Sequence, residues 1–397
     1  MIALKKAYRW RQKKKVLIDS KYNQLKLTDL SILLKRGKSA KYGKSKIQII
    51  KSGQARGWFD FDFSERHYVD ESFVIDERKL ERGDLLINST GVGTAGRVTY
   101  FGEDGDFVVD SHITIFRPNQ DLILPKYALC ALGLIGFDNI ENMALGQSGQ
   151  IELSLDIIGN IKIPVPPIDV QKQIVEEIGK IEKSNNDAKS LIDKNLSDIR
   201  IIINGLGSTV SIEEYFDINT LTLNPTSCWK DEFFTYVDID SVGKGDGSIS
   251  FDKKILGKDA PSRARRVAED RTVIVSTVRP YLKGFAYIDS VPEKTIFSTG
   301  FALLKSKNEE NYISKLLYYL FMFSDNLMKQ METAMPKAAY PSINKEDIDN
   351  FKIPLLNIDE QKHIVAQIDA LELEITKAHT LIDNIAKEKQ AILDKYL

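Results

Sequence analysis

Few residues in this chain have the type and spacing that chemistry requires. Gly91-Val92-Gly93-Thr94-Ala95-Gly96 matches the dinucleotide fingerprint GxGxxG and follows the apolar run Leu85-Leu86-Ile87. That fingerprint needs a helix next, because the pyrophosphate rests on the helix N-terminus. Arg97-Val98-Thr99-Tyr100-Phe101 follows instead and is β-prone. The loop is therefore expected to be either a basic tip that touches a nucleic-acid backbone or groove, or a plain hairpin turn. Asn224-Pro225-Thr226-Ser227 lacks the second proline and the aromatic of the Asn-Pro-Pro-aromatic motif that amino-methyltransferases use to stack a flipped base. It reads as a turn. Asp60 with Glu77-Arg78-Lys79 imitates a metal-dependent nuclease triad, a pattern that charged chains produce by chance. His67, His112, His363 and His379 are dispersed, as are Cys130 and Cys228, so no zinc spacing exists. No P-loop is present. The expectation is a chain with no catalytic residue, no metal site and no cofactor of its own.

Binding chemistry is better represented. Arg263-Ala264-Arg265-Arg266 follows Pro261, and Ser276-Thr277-Val278-Arg279-Pro280-Tyr281-Leu282-Lys283-Gly284 comes soon after. Arginine can donate two hydrogen bonds to guanine, while Ser, Thr and Lys can hold phosphates. Arg263, Arg265, Arg266, Thr277, Arg279, Tyr281 and Lys283 are thus candidate DNA contacts. The alternative is an arginine cluster saturated by Glu269 and Asp270. In the first half of the chain Lys38, Lys44, Gln54, Arg56, Ser89, Thr90 and Arg97 are the corresponding candidates, with Trp58 expected in the core rather than at the contact. Charge supports this reading. The net charge is −1, yet residues 1–56 hold about 17 Lys and Arg against 2 Asp, which attracts a polyanion. Lys5 to Lys15 open that run; a solvated basic tail is the other reading of it.

The larger architecture is announced by a repeat. Ile163-Pro164 and Ile168-Asp169-x-Gln171-Lys172-x-Ile174-Val175 return as Ile353-Pro354 and Ile358-Asp359-x-Gln361-Lys362-x-Ile364-Val365. Each copy opens a heptad pattern. Ile174, Ile178, Ile181, Asn185, Ala188, Ile192, Asn195, Ile199 and Ile202 form one seam; Ile364, Ile368, Leu371, Ile375, Ala378, Ile382, Ile385, Lys389 and Ile392 form the other. Each rod is expected to run about 30–35 residues, or about 45–50 Å. Asn185 and Asn195 either fix register within the seam or meet water where the seam bends away. Four segments result: a strand-rich module over 1–160, a helix over 161–204 led in by a proline turn, a second module over 205–350 and a second helix over 351–397. Strands are expected at 84–88, 111–116, 272–276 and 301–304, and helical stretches at 125–134 and 312–328. The few cysteines, the lack of about 18 consecutive apolar residues and the lack of a secretory signal point to a cytoplasmic protein without a membrane span.

The chain resembles the specificity subunits of type I restriction–modification systems. The likeness rests on the duplicated Ile-Pro-x-x-x-Ile-Asp-x-Gln-Lys-x-Ile-Val leader. It also rests on Leu86-Ile87-Asn88-Ser89-Thr90-Gly91-Val92-Gly93 and on Arg265-Arg266-Val267 with Val275-Ser276-Thr277-Val278-Arg279-Pro280, which look like that family's recognition domains. The family's proline pair is kept at Pro166-Pro167, whereas the second copy has Leu356-Asn357. The resemblance implies an α/β (α+β) fold with two target recognition domains, each a curved sheet with flanking helices, separated by two long antiparallel coiled-coil helices. Each domain would read half of a bipartite, asymmetric double-stranded DNA site. Two copies of a methyltransferase subunit would dock on the helices and carry S-adenosylmethionine. A translocating nuclease subunit would carry ATP and Mg²⁺. A coiled-coil scaffold with protein-binding modules, or a degenerate methyltransferase fragment, remain the alternatives.

Overall fold

The computed structural model describes residues 19–147, 150–335 and 341–397. The basic run Lys5 to Lys15 lies outside the described residues. Two compact units emerge: Met1–Asn186 with Ile382–Leu397, and Asp187–Leu381. Each long helix is therefore shared between units, so the units cut across the helices that the sequence sets apart as segments of their own.

Both units follow one plan. In the first, a four-stranded antiparallel sheet runs Ser31–Arg36, Ile113–Pro118, Leu85–Asn88, Val98–Tyr100. A parallel pair joins Gln48–Ile50 to Phe107–Val109. In the second, the matching sheet runs Phe216–Ile218, Phe301–Ser306, Thr272–Ser276, Phe285–Ile288. The matching parallel pair, Phe233–Val237 with Thr295–Ser298, gains Lys254–Leu256 and Ala264–Arg266 at its edges.

The strand Leu85–Asn88 is buried at every position, so it shows an apolar run rather than an alternation. The two-residue period is still at work. Leu85 and Ile87 face the helix Pro125–Ile135, while Leu86 faces Ile113, Ile115 and Phe101 on the other side. Val273 and Val275 likewise face the helix Ser314–Phe323, and Ile274 faces Ala286 and Phe297. Burying one such side chain is worth about 1.5–3 kcal/mol.

The helical stretch expected over 312–328 is two helices, Ser314–Phe323 and Asp325–Ala334. Ser324 breaks it: its hydroxyl accepts the Leu327 N–H at 3.2 Å and caps the second helix. The turn expected at Asn224 is a one-turn helix, Pro225–Cys228, capped by the Asn224 side chain on Thr226 N.

Each module is closed by its own ends. Gln24–Lys26 pairs antiparallel with Lys162–Pro164, and Thr209–Ser211 with Lys352–Pro354. The long helices start directly after, at Ile168–Asn204 and Ile358–Tyr396. With 37 and 39 residues they are slightly longer than the expected rods, because each starts six residues before its first seam isoleucine, at Ile168 and Ile358. They run antiparallel within each unit. In the first, Ile174 and Ile178 pack with Ile392, Leu393 and Leu397. In the second, Ile199 packs with Ile364, Ile368, Leu371 and Ile375. Ile385 is buried, and Ile181, Ile192 and Ile382 are half-buried along the same stripe.

The polar seam residues diverge. Asn195 is buried, and its amide donates to Glu374 Oε2 at 2.8 Å and to Leu371 O at 3.4 Å. Asn185 is half-buried, and its Oδ1 has no partner among the described residues. The buried Lys389 pairs with Glu182.

Candidate nucleic-acid interface

Backbone hydrogen bonds put the two candidate loops at equivalent places. Ser89 N donates to His112 O, and Thr277 N to Gly300 O. Leu153 N donates to Ser89 O as Ile343 N does to Thr277 O, and Gly91 N to Ile151 O as Arg279 N does to Pro341 O. Asn88 N bonds Arg97 O as Ser276 N bonds Gly284 O. Residues 89–97 and 277–284 are therefore one loop built twice.

The two copies differ in backbone strain. Gly91 (φ +90°) and Gly96 (φ +86°) occupy the left-handed region in the first, whereas Arg279 (φ +49°) and Lys283 (φ +53°) occupy it in the second. A non-glycine residue there costs about 1–2 kcal/mol.

The glycine loop of the first unit is not a nucleotide cradle. Strand Val98–Tyr100 follows it, not a helix, and Gly93 N already donates to the Glu141 carboxylate at 2.9 Å. The Arg97 guanidinium donates to Gly93 O and closes the loop. Thr90 Oγ1 lies 2.8 Å from His112 Nδ1.

Two first-unit candidates point inward and are withdrawn as contacts. Ser89 is buried, with its hydroxyl on Ile87 O at 3.0 Å and Thr114 Oγ1 at 2.7 Å. Gln54 is buried, and its amide accepts from Lys51 N at 3.0 Å and donates to Glu65 O at 2.7 Å. Both sit on short polar segments that look like surface in sequence, but tertiary packing turns them in. Lys38 and Arg56 stay exposed but form ion pairs with Asp76 and Asp62. Lys44 is exposed, with no ion pair among the described residues. Trp58 packs onto the core beside Phe137, ring centroids 5.8 Å apart.

In the second unit Arg263, Arg279 and Tyr281 are exposed. Arg266 is half-buried, and its guanidinium donates to Asn219 Oδ1 at 2.7 Å. Burial pulls its pKa down from the usual value. Arg265 donates to Ala264 O at 2.7 Å. Glu269 and Asp270 do not saturate the cluster: the Asp270 carboxylate accepts from Val291 N instead. The Lys283 amine turns in to Met322 O at 2.6 Å, and burial, followed by the nearby Arg200, pushes its pKa down. The Thr277 hydroxyl donates to Gly300 O at 2.8 Å. Thr277 and Lys283 therefore support the loop and Arg266 fastens its own strand to Asn219, while Arg263, Arg279 and Tyr281 are exposed.

Two of the nuclease-like residues are spent elsewhere: Glu77 pairs with Lys35, and Lys79 with Asp106 at 2.6 Å. No cluster of His, Cys, Asp and Glu able to hold a metal exists among the described residues.

The repeated glutamine has a role that spacing alone does not reveal. Gln171 is fully buried; its Oε1 accepts from Leu124 N at 2.8 Å, and its Nε2 donates to Leu122 O at 3.1 Å and Pro166 O at 2.9 Å. Gln361 does the same with Ile313 N at 2.8 Å, Asn311 O at 2.9 Å and Leu356 O at 3.0 Å. Each amide fastens the first turn of a long helix to its module. The signal was a neutral polar residue kept in both copies of the leader, among the apolar residues Ile168, Ile174 and Val175 and their counterparts Ile358, Ile364 and Val365.

Known proteins share this architecture. The family described as the type I restriction modification DNA specificity domain matches residues 6–196 and again 209–386. The MjaVIII type I restriction enzyme specificity subunit of Methanocaldococcus jannaschii is 26% identical, over 91% of this chain and 90% of its own length. The chain assigned as the MjaX type I restriction enzyme specificity subunit of the same organism is 25% identical, over 94% of this chain and 91% of its own. The fold is shared with the S subunit of the type I restriction–modification system from M. genitalium, at 14% identity and a TM-score of 0.57, covering 96% of this chain and 98% of that one. It is also shared with a chain from a structure of the type I R-M system, at 16% identity and a TM-score of 0.54, with the same coverage. These matches do not favour a scaffold or a methyltransferase fragment. The chain belongs to the type I restriction–modification DNA specificity family, and is a non-catalytic subunit that recognises DNA sequence through two domains.

Proposed function

We propose that each module reads one half of a bipartite, asymmetric DNA site, and that the paired helices set the gap between the halves. One observation carries this: the two modules share a sheet plan and a glutamine staple, yet the equivalent loops 89–97 and 277–284 present different side chains. A common frame with unlike loops suits two unlike half-sites. At 1.5 Å per residue each helix is about 55 Å long, enough to space the halves by more than one turn of DNA. The helices also dock two copies of a methyltransferase subunit, which supply S-adenosylmethionine, and a translocating nuclease subunit with ATP and Mg²⁺ completes the assembly in the cytoplasm. No described helix is long and apolar enough to cross a membrane.

The test is co-expression of this chain with its methyltransferase subunit, followed by genome-wide sequencing of modified bases. The expected result is a single split motif. Exchanging residues 20–160 should change one half only, and exchanging 209–350 the other. Methylation at an undivided motif would overturn the reading.

A further inference from the structure

After the strand Phe233–Val237 the chain turns back over residues 238–250, and the tip of this hairpin reads Gly243-Lys244-Gly245-Asp246-Gly247-Ser248. The tip is closed on itself. Gly243 N donates to Ser248 O at 2.9 Å. The Asp246 carboxylate accepts from the Ser248 hydroxyl at 2.7 Å and from its N–H at 2.9 Å, bonds that hold its pKa below the usual carboxylate range. Gly247 adopts φ +71° and lies over Tyr318; a Cβ there would come within 2.0 Å of the phenol oxygen. Only glycine fits both demands. Lys244 is left exposed, with no hydrogen bond or ion pair among the described residues.

The tip is fastened to the loop already described. Gly245 N donates to Lys283 O at 2.9 Å, which sets Lys244 beside the turn that presents Arg279 and Tyr281. A second cation lies close to this turn: burial first, and then the charge of Arg200, lower the pKa of Lys283, offset in part by Asp325. The first unit has a counterpart. The hairpin that follows Gln48–Ile50 carries Arg56 and is fastened to the strand leaving its loop by Trp58 N to Val98 O and Tyr100 N to Trp58 O, each 2.7 Å. Both modules thus hold a hairpin beside the recognition loop, against the loop itself in the second and against the strand that leaves it in the first.

We propose that Lys244 is a DNA phosphate contact of the second module, gripping the backbone beside the bases that the 279–283 turn approaches. This rests on the reading of that module as a DNA recognition domain. An ammonium is a compact point charge, suited to phosphate and poor at discriminating bases. Its place between glycines lets the backbone of the tip come close to the ligand.

The test uses the full chain and its Lys244→Ala and Lys244→Gln variants, with Arg263→Ala as a comparison. Binding to a mixed-sequence duplex of roughly 40 base pairs is titrated against salt; loss of one phosphate contact should reduce the slope of log K against log[salt] by about 0.9. The affinity should fall by about 3–10-fold at moderate salt, with unchanged melting temperature, since the residue is exposed. In the methyltransferase complex the modified motif should stay the same. An unchanged slope in both Lys244 variants, with Arg263→Ala weakening DNA binding, overturns the proposal and leaves the module's function standing. No effect of any of the three overturns both. A shifted motif in Lys244→Gln would make the residue a base reader and overturn the phosphate assignment.

Discussion

The ammonium of Lys389 lies 3.9 Å from the centroid of the Trp58 ring. A cation over indole is attracted by about 1–2 kcal/mol when shielded from water. The same ammonium pairs with Glu182, and only 10% of the lysine side chain and 17% of the glutamate's are exposed. One side chain on the second long helix thus holds the first helix and a loop of the first module together.

Replacing Lys389 alone should be costly. Lys389→Met leaves Glu182 half-buried without its counter-charge, and a loss of about 2–3 kcal/mol is expected. Lys389→Met combined with Glu182→Met should recover most of it. Urea midpoints of the full chain measure both, and Trp58 emission should shift to the red in the single variant.

The glutamine staples predict independent effects in the two units. Removing three hydrogen bonds from a closed site strands Leu122 O, Leu124 N and Pro166 O in the first unit, at about 2–4 kcal/mol. Gln171→Ala should speed hydrogen exchange at the Leu124 amide and leave Ile313 protected. Gln361→Ala should do the reverse.

Arg263 and Arg266, three residues apart, should separate binding from stability. Arg263→Ala should weaken DNA binding by about 1 kcal/mol or more and leave the melting temperature unchanged. Arg266→Ala removes the donor to Asn219, and should cost about 1–2 kcal/mol of stability. Melting curves alongside DNA titrations distinguish the two.

Acid should release one surface staple. Although burial raises it, the Asp76 carboxyl is brought down to about 2 by its hydrogen bond to Lys38, the Arg78 backbone N–H and the Arg78 charge. Because the folded value lies below the unfolded one, the unfolded chain binds more protons between them, so stability falls as pH drops. The contribution is complete above about pH 4 and is lost toward pH 2. Asp76→Asn should therefore be less stable than the parent at pH 6, by no more than about 1 kcal/mol for a solvent-screened pair, and the gap should narrow by pH 3. Guanidinium midpoints at the two pH values measure it.

The repeat made the frame legible. Duplicated leaders and heptads announced two long helices, and apolar runs such as Leu85–Ile87 and Val273–Val275 announced central strands. What stayed hidden depended on tertiary direction. Ser89 and Gln54 look like surface residues in sequence, yet both are buried and hydrogen-bonded to residues of neighbouring turns and strands. Lys389 occupies a seam position where the register expects an apolar residue, and only the facing Glu182 explains it. Lys244 escaped notice because its significance comes from a hydrogen bond between Gly245 and Lys283, 38 residues apart in the chain.

Division of each long helix between the units imposes an order on biosynthesis. The ribosome delivers Asp187–Leu381 as one uninterrupted stretch, so the second unit has all its parts while the chain is still growing. The first unit leaves the exit tunnel earlier but waits for Ile382–Leu397. Until Ile392, Leu393 and Leu397 emerge, Ile174 and Ile178 have no cover from the second helix. The domain made first is the last to be finished, and the nascent chain must carry a bare apolar stripe throughout synthesis of the second unit, a window in which chaperone capture competes with folding.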